Sequence, residues 1–131
     1  MASSLLRTVL YVDDEPDIRE IVEMSLGLID GLKVHTRGSG ESALADIASI
    51  APDMLLIDVM MPGLDGPATV ARLREQPRWA QLPFVFMTAK AMPQEVARFK
   101  EIGAADVIAK PFDPMELGNR VVAIWKGLNH G

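Results

Sequence analysis

The chain has 131 residues, enough for one domain with a real hydrophobic core and little left over for a second. Hydrophobic residues at 49% and charged residues at 24% are ordinary for a globular protein and exclude a disordered chain. A formal charge of -5 leaves no basic stripe for holding nucleic acid, and the lack of cysteine removes disulfides, thiolate metal sites and thiol nucleophiles, which suits a reducing, cytoplasmic setting.

Met1 to Val12 carries an apolar stretch, but Arg7 interrupts it and Asp13-Asp14-Glu15 follows, so it reads as a strand and not a signal peptide. No run approaches the roughly 20 apolar residues that cross a bilayer. Thr8 to Val12 is short, apolar and β-branched at Thr8, Val9 and Val12, as a buried parallel strand is. From Pro16, the residues Ile18, Ile21, Val22 and Ile29 recur at helical spacing, with Pro16 suited to a first turn and Gly31 to the stop. Leu32 to Thr36 follows as a second strand, then Ser42 to Ser49 as a helix with Leu44, Ile47 and Ala48 inward, closed by Ala51-Pro52.

Met54 to Ile57 is a continuous apolar run ending at Asp58, and Met61-Pro62-Gly63-Leu64-Asp65-Gly66 is dense in residues that break regular structure. Val70 and Leu73 mark a third helix ending near Gln76-Pro77. Phe84 to Met87 is a fourth strand that stops at Thr88. Val96, Phe99 and Ile102 stripe a fourth helix stopped by Gly103, Val107 to Ala109 make a fifth strand ending at Lys110, and Leu117, Val121, Ile124 and Leu128 stripe the last helix. The pattern is (βα) five times over: an open, doubly wound parallel sheet, in which ligands sit beyond the carboxyl ends of the strands where strand order reverses.

Asp13, Asp14, Asp58, Thr88 and Lys110 all lie at or just after strand carboxyl ends, on one rim of that sheet. Taken singly, each has a bland explanation: the first two cap a helix, the threonine bonds backbone, the lysine is solvated. Capping explains neither Asp58 ahead of a loop nor a lysine arriving from another strand. Unit charges about 4 Å apart repel by about 4 kcal/mol at intermediate dielectric, so three converging carboxylates call for a cation. Oxygen-only ligands favour magnesium, and three carboxylates, one divalent ion and Lys110 sum to zero, a site able to receive a phosphoryl group. The chemistry it suits is in-line attack on phosphorus by an aspartate oxygen, giving an acyl phosphate on Asp58.

Four motifs make the resemblance plain: Val12-Asp13-Asp14-Glu15-Pro16, Pro52-Asp53 through Asp58-Val59-Met60-Met61-Pro62-Gly63-Leu64-Asp65-Gly66, Met87-Thr88-Ala89, and Lys110-Pro111-Phe112. Over essentially its whole length, residues 1–131, the chain resembles a receiver domain of bacterial two-component response regulators, of the single-domain chemotaxis type. The resemblance implies a flavodoxin-like sheet of strand order 2-1-3-4-5, with Asp58 as phosphoacceptor and Asp13, Asp14 and Asp58 holding magnesium together with the Met60 backbone carbonyl. Thr88 and Lys110 are then the phosphoryl-binding pair, with a cis Lys110-Pro111 peptide. It also implies a sensor histidine kinase or histidine phosphotransfer protein as donor, and a downstream protein target on the face of helix 4, strand 5 and helix 5.

Receivers usually carry Tyr or Phe three residues before the lysine, where this chain has Val107. A short side chain restricted at χ1 cannot swing between buried and exposed positions, so activation is expected to move the Thr88 to Met92 loop. Met60 and Lys90 flank the site and are candidates for tuning acyl-phosphate lifetime, although either is readily just an exposed side chain. The eight methionines read as core and loop filling, Trp125 as packed, and Trp79 and His35 carry no site argument. Two other functions compete. A flavodoxin-like electron carrier has the same sheet, but Asp13-Asp14-Glu15 repels a flavin phosphate. A metal-dependent phosphatase with an aspartyl nucleophile wants a second acid two residues after Asp58, where Met60 stands. The chain's close at Asn129-His130-Gly131 favours a free-standing receiver over the front end of a longer regulator.

Overall fold

The computed structural model describes residues 5–128. Five strands alternate with five helices: β1 (Thr8–Val12), α1 (Pro16–Gly27), β2 (Lys33–Arg37), α2 (Gly40–Ile50), β3 (Met54–Asp58), α3 (Gly66–Arg74), β4 (Phe84–Thr88), α4 (Pro93–Ile102), β5 (Asp106–Ala109) and α5 (Leu117–Gly127). All pairings are parallel and the order is β2-β1-β3-β4-β5, the order expected from the resemblance. Both neighbours of β1 come from later in the chain, so the strand order reverses beside it and opens a crevice between the ends of β1 and β3.

Strand alternation sorts the core into two layers. Leu10, Val12, Leu55, Ile57, Phe84 and Phe86 face α2, α3 and α4, where Phe86 stacks edge-on with Phe84 at 5.2 Å and with Phe99 at 4.9 Å. Val9, Tyr11, Met54, Leu56, Val85, Met87 and Ile108 face α1 and α5 and meet Val22, Leu26, Val121 and Trp125. Every residue of β3 and β4 is buried, which is why those segments read as unbroken apolar runs.

Helix boundaries follow local chemistry. The Ser39 side chain accepts the Ser42 N–H at 3.0 Å and starts α2, Asp65 accepts the Ala68 N–H at 2.8 Å and starts α3, and Gly103 at φ 116° ends α4. Several expectations need correction. α1 stops at Gly27 and not Gly31, because glycine weakens the helix and the Leu28 N–H turns back to Ser25 O; Ile29 lies beyond the helix, next to Gly118. Ile21 and Ile102 are exposed, at 37% and 46%, and on α2 Ala43 joins Leu44 and Ile47 on the inward face, with Ala48 outside. Met54, Met61 and Met87 are core, whereas Met24, Met60, Met92 and Met115 are exposed, so core filling accounts for only some of the methionines. Trp125 and Trp79 are both packed. Residues 1–4 and Asn129-His130-Gly131 lie outside the described residues. Among the described residues no helix is long and apolar enough to cross a membrane.

Candidate functional site

The β1–β3 register pairs Val12 with Ile57, so the next residues, Asp13 and Asp58, face one another across the crevice. Strand parity places both on the α1/α5 side of the sheet, in step with Val9 and Tyr11 on β1 and with Met54 and Leu56 on β3. Lys110, two residues past Ile108, has the same parity. Its backbone N–H bonds Thr88 O at 2.8 Å, and its Nζ reaches Asp13 Oδ2 and Asp58 Oδ2, each at 3.1 Å. The Lys110-Pro111 peptide is cis.

Ligand atoms of Asp13, Asp14 and Asp58 lie within 4.8 Å of one another. Asp13 is wholly buried and Asp58 nearly so, with Asp14 more open to solvent. Burial pushes the Asp58 carboxyl up; Lys110 and the Met60 backbone N–H pull it down, Asp13 pushes it further up, and the balance stays above the ordinary range. Burial works to lower the Lys110 ammonium, but Asp13 and Asp58 outweigh it and hold it above its usual value. One cation is therefore shared by carboxylates that outnumber it, and an all-oxygen donor set without His or Cys fits a hard metal ion.

Thr88 ends β4 with its hydroxyl oxygen accepting the Lys90 N–H at 3.0 Å, and its parity puts it on the α4 side, opposite the carboxylates. Met60 stands two residues past Asp58 with its side chain 74% exposed, and its amide bonds the Asp58 carboxylate. Gly66 opens α3 where the β3 strand end passes closely: a Cβ there would lie 2.5 Å from Asp58 O. Val107 is buried in the α4-side layer, and its carbonyl accepts Arg120 Nη2 at 3.0 Å.

Two contacts escaped the sequence. The Tyr11 hydroxyl donates to Asp13 Oδ2, and Arg19 Nη1 donates to the Asp13 carbonyl at 2.7 Å. The available signal was spacing: an i, i+2 pair on one strand shares a face, and Arg19 enters from the first turn of α1. Asp53 accepts the Arg7 and Thr8 N–H groups at 3.0 Å and anchors β1.

A doubly wound sheet with acids and a lysine gathered at its switch point defines a flavodoxin-like module with its site at the strand carboxyl ends. The model of the response regulator receiver domain matches residues 9–122. The phosphate regulon transcriptional regulatory protein PhoB of Pseudomonas aeruginosa is 34% identical over 95% of this chain and 54% of its own length. A probable transcriptional regulator, ycf27 of Guillardia theta, is 37% identical over 92% of this chain and 46% of its own. The chemotaxis protein CheY4 of Vibrio cholerae superposes with a TM-score of 0.82 at 30% identity, covering 92% of this chain and 99% of that one. The chain belongs to the response regulator receiver domain family and is a signalling module of two-component systems, which decides against the flavin carrier and the phosphatase. It spans about half the length of the curated relatives it matches.

Proposed function

We propose that residues 1–131 act as one receiver domain in which Asp58 accepts a phosphoryl group from a phosphohistidine, on a sensor histidine kinase or a histidine phosphotransfer protein. The observation that carries this reading is the shared ammonium: Lys110 Nζ lies 3.1 Å from a carboxylate oxygen of both Asp13 and Asp58. An Asp58 oxygen forms the new P–O bond as the donor's P–N bond breaks, and the electron pair returns to the imidazole nitrogen. Lys110 follows the new charge onto a phosphoryl oxygen. Thr88, whose oxygen already accepts from Lys90 N–H, keeps its own O–H to donate to another.

Asp13, Asp14 and Asp58 are the carboxylates that would hold Mg2+, with the Met60 carbonyl as the remaining protein ligand. Bound there, Mg2+ supplies positive charge to the oxygens of the transferring group. Moving Lys110 and Thr88 toward the phosphoryl group draws on the Ala89 to Met92 segment, exposed except at the half-buried Ala91, and so reshapes the α4-β5-α5 face for a protein target. With Val107 packed in the core, the loop carries the switch. A net charge of -5 supports a protein target over nucleic acid, and the absence of cysteine is in keeping with a cytoplasmic setting.

The test is labelling by radioactive phosphoramidate, a small phosphohistidine mimic, with and without Mg2+. Native chain takes label only with the metal, Asp58→Asn takes none, and Lys110→Ala takes some without changing partner affinity. Undiminished label on Asp58→Asn refutes the assignment.

A further inference from the structure

Tyr11 is the only tyrosine of the chain and has no part in the phosphoryl chemistry above. It is fully buried in the α1/α5 layer, two residues before Asp13 on the same strand face. Phenylalanine would fill the space without bringing a hydroxyl into an apolar layer, where an unpaired one is costly. The hydroxyl is paired: it donates to Asp13 Oδ2. That oxygen also takes Lys110 Nζ at 3.1 Å, and Oδ1 takes the Glu15 N–H at 3.0 Å. Asp13, with no solvent access, therefore has three donors, of which the lysine is the only one able to leave.

We propose that Tyr11 is a positioning residue of the acidic cluster: it fixes the Asp13 carboxylate for Mg2+ and keeps Oδ2 satisfied when Lys110 moves to the phosphoryl group on Asp58. The inference rests on the phosphoacceptor reading. Without the hydroxyl, a buried carboxylate is left to Lys110 and one backbone N–H, so it is free to rotate and holds the lysine back. A phenol, with an ordinary pKa of about 10, keeps its proton at neutral pH, so the hydroxyl is a donor there. Donors behind a ligating carboxylate set its orientation, and losing one weakens metal binding by about tenfold.

The experiment is a Mg2+ titration of the full chain by calorimetry, native against Tyr11→Phe, alongside NMR of native chain isotope-labelled at the tyrosine Cζ, which gives one signal. The Kd for Mg2+ rises about tenfold in Tyr11→Phe, and the Cζ signal of the native chain shifts as Mg2+ saturates. A purely structural tyrosine would lower the unfolding midpoint and leave the Kd alone; an unchanged Kd in a folded variant, or a Cζ signal indifferent to bound Mg2+, overturns the proposal. Should Tyr11→Phe not fold, the native signal decides by itself. If the native chain binds no Mg2+ at all, the phosphoacceptor reading fails and takes this one with it; binding with a silent label defeats this one alone.

Discussion

Replacing Asp58 by asparagine should make the metal-free protein more stable, although it removes the proposed phosphoacceptor. At 4.8 Å or closer, Asp13 and Asp58 repel by at least about 3.5 kcal/mol at an effective dielectric of about 20. The more exposed Asp14 adds about 1 kcal/mol after solvent screening. Lys110 at 3.1 Å returns about 5 kcal/mol, so the charge terms nearly cancel. What remains is the cost of burying the Asp58 charge, partly offset by the Met60 N–H, and we expect Asp58→Asn to gain about 1 to 2 kcal/mol at pH 7.

The pH dependence has a definite sign. Because the folded protein holds the Asp58 proton more tightly than the unfolded chain, the Asp58 contribution to native stability falls as pH rises from the ordinary aspartate value of about 3.9 through the raised folded value. The advantage of Asp58→Asn is full above that window and absent below it. Urea unfolding in EDTA, followed by the two buried tryptophans Trp79 and Trp125, reads it directly. Saturating Mg2+ reverses the order, since at about a hundred times its Kd a ligand adds about 2.7 kcal/mol to the form that binds it. An Asp58→Asn variant less stable than native in EDTA at pH 7 refutes the electrostatic argument.

Lys110→Ala leaves Asp13 buried without its cation, and should cost about 3 kcal/mol in EDTA by the same urea assay, with part restored by Mg2+; a loss under about 1 kcal/mol contradicts the shared-ammonium account. Gly66→Ala drives a Cβ toward Asp58 O and should cost about 2 kcal/mol and slow phosphoryl uptake together, whereas normal uptake would show that the β3 end tolerates the shift. Thr88→Ala should still accept phosphoryl on Asp58 while losing the change in target affinity, measured by titrating phosphorylated chain onto its target; an intact response removes Thr88 from the switch.

The sheet was legible because β1, β3 and β4 are unbroken apolar runs ended by polar residues, and because Asp13, Asp58 and Lys110 share strand parity. Helix faces were less so. Ile21, Ala48 and Ile102 fit a helical stripe yet point outward, since a short helix on a sheet buries a narrow stripe and apolar residues at its margin still match the period. Ile29 continued the stripe past the point where Gly27 ends the helix. Tyr11 was hidden for a different reason: an aromatic inside a buried strand looks like core filling, and only the path of its side chain reveals that the hydroxyl reaches Asp13.

In the proposed reaction a carboxylate oxygen of Asp58 takes the phosphoryl group, and only with a metal ion beside it. Native chain treated with acetyl phosphate and then with borohydride, which reduces an aspartyl phosphate to homoserine, should carry homoserine at position 58 when Mg2+ is present and none in EDTA. Homoserine at Asp13 or Asp14, or equal trapping at position 58 with the metal removed, would contradict it.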